Sequence, residues 1–292
     1  MARQRTEEPV AEVALVLRHH VQSALRALTR GRSVSDKRIH DARKAIKRAR
    51  AALRVLRDAM GVRRYRQLNR ALRDAARPLT HVRDAKVLPD ALVALRDRNV
   101  DAWHGIEPDW IERGLRRNRT RARRDVLGDV AILNRSRLTL RRTAASLRAM
   151  RLRPGWPGIE SAVRRVYRAA RHARRRAHEN PTDEALHEGR KRVKYLWHTF
   201  QILQSLCPGV FDKPCEQAHR LADHLGDDHD LAVLRAWLIT EAGMLEIAKP
   251  DALLALLDAR RRELQHHAWT EGSHLLEERP RQFVRRLQEC EQ

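Results

Sequence analysis

Apolar residues recur at intervals of three and four along nearly the whole chain, the period of helices that each bury one face. That period predicts helices near 9–30, 36–59, 63–77, 83–97, 109–127 and 129–152. Arg153-Pro154-Gly155-Trp156-Pro157-Gly158 then interrupts it, with two prolines and two glycines in six residues. Helical patterning resumes near 159–179, 183–206, 211–225, 229–247, 251–276 and 280–290. Ser35 and Thr182 stand just before two of these segments, where a hydroxyl can accept from the unpaired amides of the first turn.

The two sets of helices are copies of one unit. Ile39-His40-Asp41-Ala42-Arg43-Lys44-Ala45-Ile46-Lys47 lies over Leu186-His187-Glu188-Gly189-Arg190-Lys191-Arg192-Val193-Lys194 at an offset of 147 without a gap. Leu79-Thr80-His81-Val82-Arg83-Asp84-Ala85-Lys86-Val87-Leu88 lies over Leu225-Gly226-Asp227-Asp228-His229-Asp230-Leu231-Ala232-Val233-Leu234 at an offset of 146. Two separate matches at nearly one offset indicate duplication. The expected organisation is two homologous helical halves, 9–153 and 158–292, which together form one unit.

Both motif helices split into two faces. Ile39, Ala42, Ile46, Ala49, Leu53 and Leu56 make the apolar stripe of the first; Leu186, Gly189, Val193, Leu196, Phe200 and Leu203 make that of the second. Another face carries His40, Arg43, Lys44, Lys47 and Arg54, and its copy carries His187, Arg190, Lys191, Lys194 and His198. Like charges one turn apart weaken a helix by a few tenths of a kcal/mol per pair, roughly. A scaffold helix would interleave glutamates, so a basic stripe kept twice points to an anion. Four of the chain's eight lysines stand in these two stripes.

Composition narrows the partner. Sixty-one Lys and Arg against 37 Asp and Glu give a net charge of +24, which points to a polyanion: nucleic acid, an anionic membrane or a phosphate polymer. Twelve glycines and eleven prolines are few, and neither a G-x-G-x-x-G nor a Walker A sequence occurs, which argues against Rossmann and P-loop architectures. Cys207, Cys215 and Cys290 imply no disulfide framework, the first residues lack an apolar signal core, and no stretch is long and apolar enough to span a bilayer. The expectation is a cytoplasmic protein.

The candidate chemistries divide on particular residues. Asp84 and Asp230 read either as catalytic acids or, more simply, as helix caps or counter-charges that orient an arginine of a motif helix. His219, Asp223, His224, Asp227, Asp228, His229 and Asp230 form a dense segment with metal-ligand spacing at His219 and Asp223, but the first half has no counterpart. No nucleophile with an acid–base pair stands out, so a binding protein without cofactor or metal is expected rather than an enzyme. Non-specific nucleic-acid binding fits the charge, although aromatics at 4% offer few stacking platforms. Membrane insertion fits poorly, because the apolar faces are needed for the helix bundle.

The duplicated His-x-x-Arg-Lys-x-x-Lys helix resembles the signature of the CHAD family (conserved histidine α-helical domain), and Arg83-Asp84-Ala85-Lys86-Val87-Leu88 is similar to that family's other recurrent element. The resemblance covers nearly the whole chain. It implies an all-α fold of two four-helix-bundle-like halves related by pseudo-two-fold symmetry around a basic central surface or pore. It further implies binding of inorganic polyphosphate and association with polyphosphate granules. His40, Arg43, Lys44, Lys47, His187, Arg190, Lys191 and Lys194 would contact phosphates, with Arg50, Arg54, Arg168, Arg171 and Arg175 as additional candidates. Trp197 replaces Arg50 and His229 replaces Arg83 in the second copy, which puts phosphate contacts there in doubt. The Glu-x-Glu-x-Lys strand of the triphosphate-tunnel domain often joined to CHAD is not found, so the chain resembles a stand-alone member.

Overall fold

The computed structural model describes residues 9–29, 34–103, 109–245 and 250–286, whose regular structure is all helix, with no strand. The helices are α1 (Pro9–Thr29), α2 (Asp36–Val55), α3 (Arg57–Met60), α4 (Val62–Ala76), α5 (Thr80–Arg98), α6 (Asp109–Leu127) and α7 (Val130–Arg148) in the first half. The second half supplies α8 (Pro157–Glu179), α9 (Asp183–Leu206), α10 (Asp212–Met244), α11 (Asp251–Leu275) and α12 (Pro280–Arg285). None of the described helices is long and apolar enough to cross a membrane.

The motif helices start where the hydroxyl caps predict. Ser35 Oγ accepts from the Arg38 amide at 3.4 Å and Thr182 Oγ1 from the Ala185 amide at 3.2 Å. All twelve residues of the two apolar stripes are buried. Gly189 lets α8 come close: a Cβ there would already touch Ala177 Cβ at 3.7 Å.

Two boundaries differ from the sequence reading. The segment expected over 36–59 breaks at Leu56 into α2 and the short α3, and Gly61 follows at φ +82°, a conformation L side chains rarely adopt. The helices expected at 211–225 and 229–247 are one helix, α10. In the first half Pro78 stands between α4 and α5; it has no amide to donate and its ring disfavours helix at the preceding residue. The second half has His224 at the matching position. There the helix continues through Gly226, and Asp228 is buried on it, accepting from Arg261 Nε at 3.0 Å and Gln265 Nε2 at 2.9 Å.

In the first half α1 and α4 both pack on α2 and α7; in the second, α8, α9, α10 and α11 pack in succession. The halves share their interior. The larger apolar cluster runs from Leu17 and Leu53 through Leu140 to Phe200, Phe211 and Phe283. The smaller cluster joins Leu88, Leu92 and Leu115 of α5 and α6 to Leu234, Leu238 and Leu257 of α10 and α11. At roughly 1.5–3 kcal/mol for each fully buried leucine or phenylalanine, this shared burial fixes α2 against α9 and α5 against α10. The cysteines depart from the expected absence of disulfides: Cys207 is disulfide-bonded, and Cys215 is free and buried.

Candidate functional site

Because the apolar stripes of α2 and α9 turn inward, their basic stripes meet where the two helices pack together. Lys47 faces Arg43 of its own helix, Lys194 and Arg190 of α9, and Arg83 of α5. Lys47 is accessible to solvent by area yet enclosed by protein on most sides, the mark of a residue lining an open concavity. This enclosure, reinforced by the four cations, lowers its ammonium to about 7. Burial and then Arg190 and Arg83 lower Lys194 to about 8, although Asp230 and Asp223 oppose the shift. Burial likewise lowers the guanidiniums of Arg43 and Arg190.

Each cation is held in a different way. Arg43 Nη1 donates to Thr80 Oγ1 at 2.6 Å. Arg83 donates to both carboxylate oxygens of Asp230, at 3.1 and 3.0 Å, and to Asp84 at 3.2 Å. Burial opposes the charge on Arg83, but the two aspartates outweigh it and raise its pKa. Arg190 is 9% exposed, and its Nε is buried without a hydrogen-bond partner among the described residues. The Lys194 ammonium lies 3.6 Å from where a Cβ on Gly226 would stand, so the bare backbone of α10 gives it room. Five cations thus gather here; Asp84 and Asp230 are hydrogen-bonded to Arg83, while Asp227 and Asp223 also act on Arg190 and Lys194.

The histidines rim this cluster. His40 and His187 are exposed, and partial burial, the leading cause, lowers both below the ordinary imidazole value. Lys44, Lys86 and Lys47 add to the effect on His40, against Asp41; Arg190 and Lys191 add to it on His187, against Glu188 and Asp84. His187 Nδ1 lies 3.4 Å from His229 Nδ1, and burial with Arg190 and His187 takes His229 to about 4. His198 faces inward: it is 8% exposed, 2.9 Å from Gln201, and lowered by burial to about 4, so it is a neutral core histidine.

The remaining candidates have other partners. Lys44 is exposed, and Lys191 pairs with Glu188 at 2.6 Å. Arg50 donates to Asn69 at 3.0 Å, and Arg54 lies over the Tyr195 ring at 3.4 Å. On α8, Arg168 is exposed, Arg171 donates to the Leu276 carbonyl at 3.1 Å and Arg175 pairs with Glu179 at 3.3 Å. Asp84 and Asp230 lie inside helices, so they cap nothing; they are counter-charges, and their hydrogen-bonded arginine is Arg83 of α5. Sequence reasoning did not list Arg83 and Thr80 as site residues, although the second repeated element contains both.

The His/Asp segment of α10 is dispersed around one helix. His219 pairs with Asp223 at 3.3 Å, Asp228 with Arg261 and Asp230 with Arg83. No group of three or more side chains able to hold a metal gathers among the described residues.

No curated protein matches the chain. Among solved structures, PptA from Streptomyces chartreusis has the same fold, with a TM-score of 0.69 at 15% identity over 92% of this chain and 100% of that one. The CHAD domain model matches residues 15–239, which include both motif helices and both Asp84 and Asp230, and the chain is therefore a member of the CHAD domain family.

Proposed function

We propose that the chain binds inorganic polyphosphate in the concavity where α2 and α9 meet, and that it associates with polyphosphate granules through this contact. The CHAD family is linked to polyphosphate binding. The observation that carries the reading is the meeting of Arg43, Lys47, Arg83, Arg190 and Lys194, whose nearest aspartates, Asp84 and Asp230, are already hydrogen-bonded to Arg83. Folding alone does not favour that arrangement, because uncompensated enclosed cations repel one another and lose hydration. A flexible chain with about one charge per phosphate relieves both costs.

The residue types suit a phosphate chain. Arg43 and Arg190 offer planar, two-pronged donors, while Lys47 and Lys194 offer point charges that tolerate a shifting register. Lys44, Lys191, His40 and His187 sit where a polymer leaving the concavity would pass. Most of the binding free energy comes from release of counterions, so affinity depends steeply on salt and little on sequence or shape.

The deciding experiment is retention on polyphosphate resin during a salt titration, with duplex DNA as competitor at fixed salt. Polyphosphate should displace the protein at concentrations, counted in phosphates, at which DNA does not. Equal displacement by DNA would replace this reading with general polyanion binding. A fluorescent fusion that fails to gather on granules in a polyphosphate-accumulating cell would overturn the granule assignment.

A further inference from the structure

About two turns beyond Lys47 on α2, roughly 10 Å along the helix axis, a second basic cavity opens on the seam between the halves. It has a volume of about 130 Å³. Arg54, Arg57 and Tyr65 line it from the first half, and Arg165, Arg192 and Tyr195 from the second, with Val166 and Ala169 as its apolar lining. No carboxylate lines it. Asp58 holds Arg165 at 2.7 Å and Glu188 holds Arg192 at 2.6 Å from outside, which leaves four guanidiniums against two acids.

Two of the arginines, Arg54 and Arg57, make no salt bridge among the described residues, although Asp58 acts on Arg57 as well as on Arg165. Arg54 donates to the Arg50 carbonyl at 2.8 Å and lies 3.4 Å over the Tyr195 ring, without an acid partner. Its enclosure is deep enough to bring even a guanidinium down to about 10. Arg57 lies 5.7 Å from the centre of the Tyr65 ring. Arg57 Nε and Arg165 Nη2 are buried and have no hydrogen-bond partner among the described residues.

We propose that this cavity is a distinct site for a single phosphate group in its dianionic state, either free phosphate or the terminal group of a chain. The surplus of cations over acids around the cavity suits a dianion. An internal phosphate of a polymer carries one charge and is flanked on both sides by further phosphates, which a cavity of this size accommodates less well. A lone phosphate presents three oxygens to the arginine fork, the geometry in which bidentate contacts form. The assignment does not depend on polymer binding at the α2–α9 concavity.

The chain's three tyrosines make the test direct, since Tyr65 and Tyr195 line the cavity and Tyr167 is buried in the core. Ring-labelled tyrosine spectra of the intact protein are followed while inorganic phosphate is added. Tyr65 and Tyr195 should shift together and Tyr167 should not. Arg57→Gln should weaken the response about tenfold, the loss expected for one charge-assisted contact. Ala169→Phe, which fills the cavity and removes no charge, should abolish it. Lys47→Gln with Lys194→Gln should leave it intact. Polyphosphate with free ends should shift the same rings if chain ends enter, and polymer with both ends esterified should not. The assignment is overturned if Tyr65 and Tyr195 stay unmoved by phosphate, if the response survives Ala169→Phe in a protein of unchanged melting temperature, if the Lys47/Lys194 variant loses it, or if end-capped polymer reproduces it.

Discussion

Arg83 of α5 grips Asp230 of α10 through both carboxylate oxygens, at 3.1 and 3.0 Å, across 147 residues of sequence. The two residues belong to corresponding elements of the repeat, yet their roles are not exchanged. His229 stands where the second copy would place an arginine, and it turns to His187 at 3.4 Å. The concavity therefore has one arginine clamped between Asp84 and Asp230, and Asp230 serves as the fixed counter-charge of the cluster.

Removing that counter-charge should act on folding before it acts on binding. With Asp230→Asn, Arg83 remains half-buried beside Arg43 and Arg190 with only Asp84 to balance it. A stability loss of about 1–3 kcal/mol is expected in urea unfolding, the range for leaving a buried polar group without its partner. Polyphosphate at saturating concentration should return most of it, because a bound anion replaces the lost charge. A variant equally unstable with and without polymer would show that Asp230 acts only as a structural tie.

Thr80 has a smaller but more specific role. Its hydroxyl accepts from Arg43 at 2.6 Å and so aims the guanidinium. Thr80→Val keeps the shape and removes the acceptor. Polyphosphate affinity should fall about threefold to tenfold with the melting temperature little changed, in line with about 0.5–1.5 kcal/mol for one hydrogen bond. Gly226 occupies the matching place on α10 beside Lys194, so Gly226→Ala, whose Cβ would stand at ordinary contact distance, should be tolerated.

The lysines should be unequal in their salt response. If several of them displace counterions, log affinity falls linearly with log salt, and each lost phosphate contact reduces the slope by about one. Lys47 and Lys194 face the concavity, whereas Lys191 already has Glu188 at 2.6 Å. Gln at 47 or 194 should therefore flatten the salt dependence more than Gln at 191. The reverse order, measured by fluorescence anisotropy across a salt series, would move the binding surface toward the rim.

Much of this was legible in the sequence because the duplication repeats whole faces, not only a short motif. A stripe such as Ile39, Ala42, Ile46 and Ala49 fixes which side of α2 is core, and the opposite side follows from it. The unbroken α10 was not legible. Gly226-Asp227-Asp228 has the composition of a turn, and only the distant Arg261 and Gln265 make an aspartate acceptable inside that helix. The clamp on Arg83 was hidden for a related reason: within the sequence its neighbour Asp84 is the obvious partner, and the bidentate one lies in the other half. His198 misled because period alone puts it on the basic stripe, while the packing of α9 turns it inward.

The pH response should separate the lysines from the histidines. Lys47 at about 7 and Lys194 at about 8 lie below the ordinary 10.5, through burial first and neighbouring cations second. The groups facing Lys47 are Arg43, Arg83, Arg190 and Lys194; those facing Lys194 are Arg190, Arg83, Asp230 and Asp223. Between these values and 10.5 the unfolded chain holds more protons than the folded one. The ligand-free protein should therefore carry its full penalty below pH 7 and gain stability as pH rises toward 10. Lys47→Met with Lys194→Met should flatten that rise, while His40→Gln with His187→Gln should leave it. Binding a polyanion favours the charged forms of all four, so protons are taken up on binding and affinity tightens as pH falls. From about pH 9 to 7.5 the lysines should account for the tightening, and from about 7.5 to 6 Lys47, at about 7, should share it with the histidines, whose unperturbed value is about 6.5. Calorimetry in two buffers of different ionisation heat counts the protons directly. Zero uptake near pH 7.5 would mean that the lysines are already fully charged in the free protein and that the concavity is more hydrated than its geometry indicates.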